Sequence, residues 1–486
     1  MANRLISNIV SDFGGRVVHV VSTGLLLLVL TRILGPESYG LLAFALSVFS
    51  FSRFISESGL PWAAARFIAE DRDDATERAV AAVVESWILV AIASLAVAVA
   101  LLVGADFLAA LLNEAGLAGL LFVGSGYVLF YTLYRYNRAI LQGYEAIATT
   151  AKLHAIKGGM TLTLVTAAVL LRPTPTAAVV GYVVAYALAT LLGHWMVWRV
   201  SDLDRESVAG DGEVRMNILR YNVPLSVTRL SAEVDGHLDT ILVGFLTNPT
   251  QVAFYTIGKQ ISQFTRVPAA SIGFALSPSY GAESSKGETE AAASVYEESL
   301  RKTLTLYVPA CIGILVVADP AVVLIFGDGY AGGILVVQIL SLFVFFEALE
   351  NISGPALDYL GRARSRAVLK AVTSIGNVAL NLALIPLFGA AGAAVATVIT
   401  YGTYAICTVG IVYTELPFDY RKVARCFTTS LGISVGMAAI VLAFLHVLSG
   451  YVGLIVAIGA SAVVWLVACQ AFDLIDVDQV AEQLTG

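Results

Sequence analysis

Two arginines set within apolar stretches recur in the second half of the chain at a common offset. Arg16 is matched by Arg229 and Arg53 by Arg266, each pair 213 residues apart. Guanidinium groups stay charged at any physiological pH and grip phosphate through forked, charge-assisted hydrogen bonds. At membrane depth such groups are costly and face a bundle interior or a wet pathway. Lys259 shares a helical stripe with Ser262, Gln263 and Arg266, so Arg16, Arg53, Arg229, Lys259 and Arg266 form the candidate phosphate-binding set. Acids accompany these cations. Arg53 and Glu57 are four residues apart, as are Arg229 and Glu233, and Asp235 and Asp239. Residues at that spacing are neighbours on a helix surface. Two like charges on one face, Asp235 and Asp239, suit a site for a coupling proton or sodium ion; the competing reading is that they neutralise arginines. Glu347, on one face with Asn351, joins Glu57, Glu233, Asp235 and Asp239 as a coupling or charge-balancing residue.

Other chemistries find little footing. No nucleotide-binding G-x-x-x-x-G-K-[ST] stretch occurs. His19, His154, His194, His237 and His446 show no metal-ligand spacing with acids or cysteines. Cys311, Cys407, Cys426 and Cys469 form no C-x-x-C pair and read as small core residues. The acid pairs Asp71-x-Asp73, Asp202-x-Asp204 and Asp476-x-Asp478 sit in short loops or the tail, with no domain to hold a sugar nucleotide. Neither a cofactor nor a metal is expected, and the chain reads as a transporter, not an enzyme.

These residues must be positioned by membrane helices. The chain is 58% hydrophobic and only 13% charged, with a mean hydropathy of +0.81, whereas soluble domains carry about 25% charged residues. At roughly 20 apolar residues per crossing, fourteen segments are expected. They centre on 13–34, 40–65, 80–103, 117–137, 153–171, 177–198, 218–246, 252–278, 302–318, 331–352, 366–386, 391–413, 425–447 and 450–472. The repeat continues at a second offset, 218 residues, where Gly143, Lys152, Gly158 and Leu164 fall on Gly361, Lys370, Gly376 and Leu382. The expected fold is therefore an all-α integral membrane protein of two pseudo-symmetric six-helix lobes plus two C-terminal helices. The expected boundaries are an N-terminal lobe 1–205, a linker 206–217, a C-terminal lobe 218–414, and the last two helices with an acidic tail at 415–486. A repeat spanning an even number of crossings is parallel, about an axis along the membrane normal.

Basic residues orient the loops. Arg66, Arg72, Arg78, Arg135, Arg138, Arg199, Arg215, Lys302, Arg362 and Arg421 belong to one side, which predicts both termini in the cytoplasm; the expected location is a prokaryotic plasma membrane. The N-terminal residues run into the first span with no small-residue cleavage site.

The stretch Leu30-Thr31-Arg32-Ile33-Leu34-Gly35-Pro36-Glu37-Ser38-Tyr39-Gly40 resembles the first hairpin of the polysaccharide flippases of the multidrug/oligosaccharidyl-lipid/polysaccharide exporter superfamily. Asp239-Thr240-Ile241-Leu242-Val243-Gly244-Phe245-Leu246 with Val252-Ala253-Phe254-Tyr255 is similar to the corresponding hairpin of their second lobe, and the turns Leu141-Gln142-Gly143 and Leu360-Gly361 fit as well. The resemblance implies alternating access by two lobes. It also implies cavity arginines at Arg53, Arg266 and Arg16, and a groove for a lipid tail in 425–447 and 450–472. The implied substrate is a polyprenyl- or dolichyl-linked (pyro)phosphate oligosaccharide moved from the cytoplasmic to the outer leaflet. Membrane lipids and glycan-assembly proteins are the expected partners, and nucleic acid is not. Outward movement of negative charge across an inside-negative potential gains about 2.3 kcal/mol per charge per 100 mV. The alternatives are a cation-coupled multidrug antiporter of the same superfamily and a membrane polysaccharide polymerase or ligase.

Overall fold

The computed structural model describes residues 2–57, 59–71, 76–201, 212–265, 289–448 and 450–472. Within them, the side chains of 2–17, 19, 71, 76–77 and 223–235 are not described. Among the described residues every regular element is helical, as lipid demands: with no water in the bilayer core, each backbone N–H and C=O must be satisfied within its own segment. Hydroxyl side chains follow the same economy by bonding back to their own helix. Ser47 and Ser50 donate to the carbonyls of Ala43 and Leu46, and Ser262 and Thr400 to those of Gly258 and Ala396, at 2.8–3.0 Å.

In the first half α1 runs Ala2–Glu57, α2 Leu60–Asp71, α3 Thr76–Val103, α4 Ala105–Leu111, α5 Leu117–Gly143, α6 Ile147–Leu171, α7 Pro175–Val200, α8 Gly212–Leu246 and α9 Pro249–Thr265. In the second half α10 is Thr289–Phe326, α11 Ile334–Tyr359, α12 Ala363–Phe388, α13 Ala390–Glu415, α14 Tyr420–Val447 and α15 Gly450–Ala471, with a short 3-10 turn at Asp328–Gly333 between α10 and α11. Local sequence marks several ends. Thr174 accepts from the N–H of Ala177 and is followed by Pro175 in the first turn of α7, and Asp419 caps α14 through the N–H of Arg421.

Eleven of these helices are long and apolar enough to cross a membrane. The first, Val20–Glu57, covers most of two of the fourteen expected segments, because α1 is broken at Gly35, whose φ of 71° few residues but glycine adopt, followed by Pro36; the second segment's end, 60–65, falls on α2. The others match expected segments one for one, leaving only the seventh and eighth. The seventh falls on α8, where Gly236–Leu246 is a shorter apolar helix, and the eighth begins as α9 and continues beyond the described residues. The chain is thus a multi-pass membrane protein.

It divides into two compact units, Met1–Val252 and Ala253–Gly486. The division falls later than the expected linker at 206–217, of which 206–211 lies outside the described residues. The cause is the packing of α8. Arg215 near its start donates to buried Glu85 of α3 at 2.5 Å, and Tyr221 lies under the guanidinium of Arg66 of α2 at 4.4 Å. Within the first unit the helices approach closely: a Cβ at Gly143 would lie 2.8 Å from the carbonyl oxygen of Ala65, so only glycine lets the end of α5 meet α2. In the second unit the core runs through Tyr296, Leu300, Ile352, Ala356, Ala405 and Val412 of α10, α11 and α13.

Candidate functional site

Arg53 lies on the last turns of α1 inside a membrane span. Its Nη2 donates to Ser50 Oγ at 2.8 Å, and its guanidinium stacks over Tyr131 with Cζ 3.7 Å from the ring centroid. Tyr127 stands 5.9 Å away on the same helix as Tyr131. The Nε of Arg53 is buried with no hydrogen-bond partner, an expensive state for a charged group in a dry setting. Glu57, one turn on, places Oε2 3.6 Å from Nη2 of Arg135, and Arg135 covers the Trp62 ring at 4.7 Å. Beside Arg53, Ser56 is bonded across to Thr132 at 2.8 Å.

Around this arginine stands a group of tyrosines that the sequence reading passed over. Tyr127, Tyr131 and Tyr134 of α5 meet Tyr182 and Tyr186 of α7, with neighbouring centroids 4.9–5.9 Å apart. Lys157 of α6 is buried among them, its Nζ 5.8 Å from the Tyr134 ring and 5.6 Å from the Tyr186 ring. Tyr134 OH shares a hydrogen bond with Nδ1 of His154 at 3.0 Å. A signal existed: Tyr127, Tyr131, Tyr134, Arg135 and Arg138 recur at helical spacing, yet the two arginines read as loop charges that set topology.

The second unit has a comparable arrangement. Lys370 of α12 lies 4.9 Å from the rings of both Tyr401 and Tyr404 of α13. Tyr404 follows Tyr186 by the same 218 residues that relate Lys152 to Lys370. Lys152 itself is exposed, however, and the lysine that meets tyrosines in the first unit is Lys157, five residues on. Beside Lys370 sits a buried carboxylate, Glu350, which accepts from Tyr404 OH at 2.9 Å and Thr408 Oγ1 at 3.0 Å. Arg366 approaches Glu350 to 3.4 Å and pairs with Asp358. Glu350 lies outside the set of residues named from the sequence.

The remaining expected residues divide by what the structure describes. Lys259 is part-buried on α9 with Nζ 5.9 Å from the Tyr255 ring. Asp239 and Glu347 are buried, and the Glu347 carbonyl accepts from Asn351 Nδ2 at 2.8 Å, which confirms that those two residues share a face. The side chains of Arg16, Arg229, Glu233 and Asp235 lie outside the described residues, as does Arg266 entirely. Arg32 is exposed. Three cysteines are buried and Cys407 is exposed, all four free. Among the described residues no group of three or more His, Cys, Asp or Glu could hold a metal ion.

An apolar pocket of about 770 Å³ lies against α14, lined by Leu300, Phe345, Phe346, Val409, Tyr413 and Phe427 among others. Its walls come from α10, α11, α13 and α14; α15 lines none of it.

In both units cations lie over tyrosine rings within membrane-length helices. Residues 29–334 match the model of the family described as polysaccharide biosynthesis protein, and the chain belongs to that family. It is 22% identical over 248 residues to the probable low-salt glycan biosynthesis flippase Agl15 of Haloferax volcanii, a match that covers 51% of this chain and spans about half, 52%, of that relative. The fold is shared with the lipid II flippase MurJ in an inward closed conformation, at a TM-score of 0.76 and 14% identity over 97% of this chain and 100% of that one. An inward-facing multidrug resistance transporter of the MATE family follows at 0.69 and 18%, over 85% of this chain and 96% of that one.

Proposed function

We propose that the chain is a flippase that moves a polyprenyl- or dolichyl-linked (pyro)phosphate oligosaccharide from the cytoplasmic to the outer leaflet of the cell membrane. The observation that carries this reading is Arg53: a guanidinium inside a span, held by a ring face and a serine, with Nε buried and unsatisfied. A phosphate supplies the acceptors that such a group lacks. Membership of the polysaccharide biosynthesis family and likeness to a flippase-named relative support a glycan headgroup. Arg16, Arg229, Lys259 and Arg266 are the further phosphate ligands in this reading. Glu57, Glu233, Asp235, Asp239 and Glu347 balance charge or couple an ion.

The MATE likeness keeps a multidrug antiporter as the rival. The purified chain in nanodiscs should retain a polyprenyl diphosphate-linked saccharide and ignore lipophilic organic cations; the opposite preference would establish the antiporter. Both termini lie in the cytoplasm in this reading. In a background with the four native cysteines replaced by serine, Asp419→Cys should resist an impermeant thiol reagent in intact cells, whereas Glu114→Cys and Asp328→Cys should label. Labelling of Asp419→Cys from outside would reverse the orientation.

A further inference from the structure

The face of α5 that carries Tyr127, Tyr131 and Tyr134 also carries Arg135 and Arg138. Arg53 stacks on Tyr131 at 3.7 Å, Arg135 lies 3.6 Å from Glu57, and Lys157 sits between Tyr134 and Tyr186. Arg53, Arg135 and Arg138 all lie within electrostatic reach of Lys157. Four basic side chains from three helices thus converge in one unit of the protein. The usual means of holding cations together is to interleave carboxylates, which neutralise them. Here ring faces take much of that role: a cation over an aromatic ring is stabilised by the ring quadrupole without losing its charge. The assembled charge stays available to an anion from outside.

We infer that Arg135, Arg138 and Lys157 extend the Arg53 position into a binding site for a diphosphate, built within the N-terminal unit. The count of charges selects the ligand. Three guanidinium groups, which cannot lose their protons, meet one carboxylate, Glu57, among the described residues. With Lys157 the four cations leave a surplus of three positive charges. A diphosphate diester carries one negative charge on each of two phosphates and offsets two of them; a single phosphodiester offsets one. Exposure agrees with the assignment. Arg53, Arg135 and Arg138 are only part-buried, so their forks can be reached, while Lys157 is buried behind them as a further donor. The unsatisfied Nε of Arg53 marks where donor capacity is left over. This assignment rests on the flippase reading for its natural ligand, and it narrows that reading from phosphate in general to a diphosphate-linked headgroup.

The test uses the full chain in lipid nanodiscs, with inorganic pyrophosphate and inorganic phosphate as probes at matched ionic strength, read by calorimetry. Pyrophosphate should bind about tenfold or more tightly than phosphate, the scale of one added charge-assisted contact. Arg138→Gln and Lys157→Gln should each remove that preference. Arg66→Gln, at an exposed position on α2 and paired with Glu70, should keep it. If buried Lys157→Gln fails to fold, part-buried Arg138→Gln carries the test alone. Equal affinity for the two anions in the parent chain, or an unchanged preference in Arg138→Gln, overturns the site. A chain that moves lipid-linked saccharide without any pyrophosphate preference discards this site and leaves the flippase reading standing. A pyrophosphate preference in a chain that moves no such lipid keeps the site and discards the reading.

Discussion

Arg53→Ala should lower affinity for a diphosphate-linked saccharide roughly tenfold to a hundredfold, with the protein still folded and inserted. The size follows from what the residue does in the structure. Its guanidinium is fixed in plane by Tyr131 and anchored at one end by Ser50, so little side-chain freedom is lost when a phosphate arrives. Alanine removes the charge, the fork and the stack together. Arg53→Lys keeps the charge as a point and loses the fork, so it should recover only part of the affinity. Arg32→Ala is the matched control, since Arg32 is exposed on the first part of the same helix. Titration of a fluorescent lipid-linked saccharide into nanodiscs reads all three. Equal losses from Arg32→Ala and Arg53→Ala would make Arg53 a structural anchor.

The second large effect is expected on stability. Glu350→Ala should destabilise the protein by about 3 kcal/mol, because removing one member of a buried ion pair strands the other. Three groups lose their acceptor at once: Tyr404 OH, Thr408 Oγ1 and Arg366. Arg366 keeps Asp358, which limits the loss to the lower end of the range for buried pairs. Glu350→Gln retains the carbonyl acceptor and should lose less. Thermal unfolding in detergent distinguishes the two. An Ala variant as stable as the parent would mean that Glu350 is held for a purpose other than packing the second unit.

The helical membrane fold was legible because apolar length is a strong signal: lipid admits few ways to satisfy a backbone, and twelve of the fourteen expected segments have counterparts among the long apolar helices. The break at Gly35-Pro36 was legible for a similar reason, since that pair disrupts a helix wherever it stands. The place where the chain divides was not legible. Hydrophilic composition pointed to 206–217, but the contacts of Arg215 and Tyr221 bind α8 to the first unit, and pairwise contacts of that kind leave no mark on composition. The site was half legible. Charge within an apolar run exposed Arg53, whereas the tyrosines around it come together only where α5 meets α7. Lys157 was hidden by the repeat itself, which drew attention to Lys152, the position that matches Lys370 in sequence but lies exposed.

Leaflet-resolved movement measures transport of a lipid-linked saccharide directly. The purified chain is reconstituted into liposomes carrying a polyprenyl diphosphate-linked saccharide with a fluorophore on the sugar, and a membrane-impermeant quencher is added outside. In empty liposomes about half the fluorescence is protected. With the protein present the protected half should become accessible without ATP, and Arg53→Ala should slow that loss about tenfold or more. A protected half that persists in liposomes shown to contain folded protein would contradict the account.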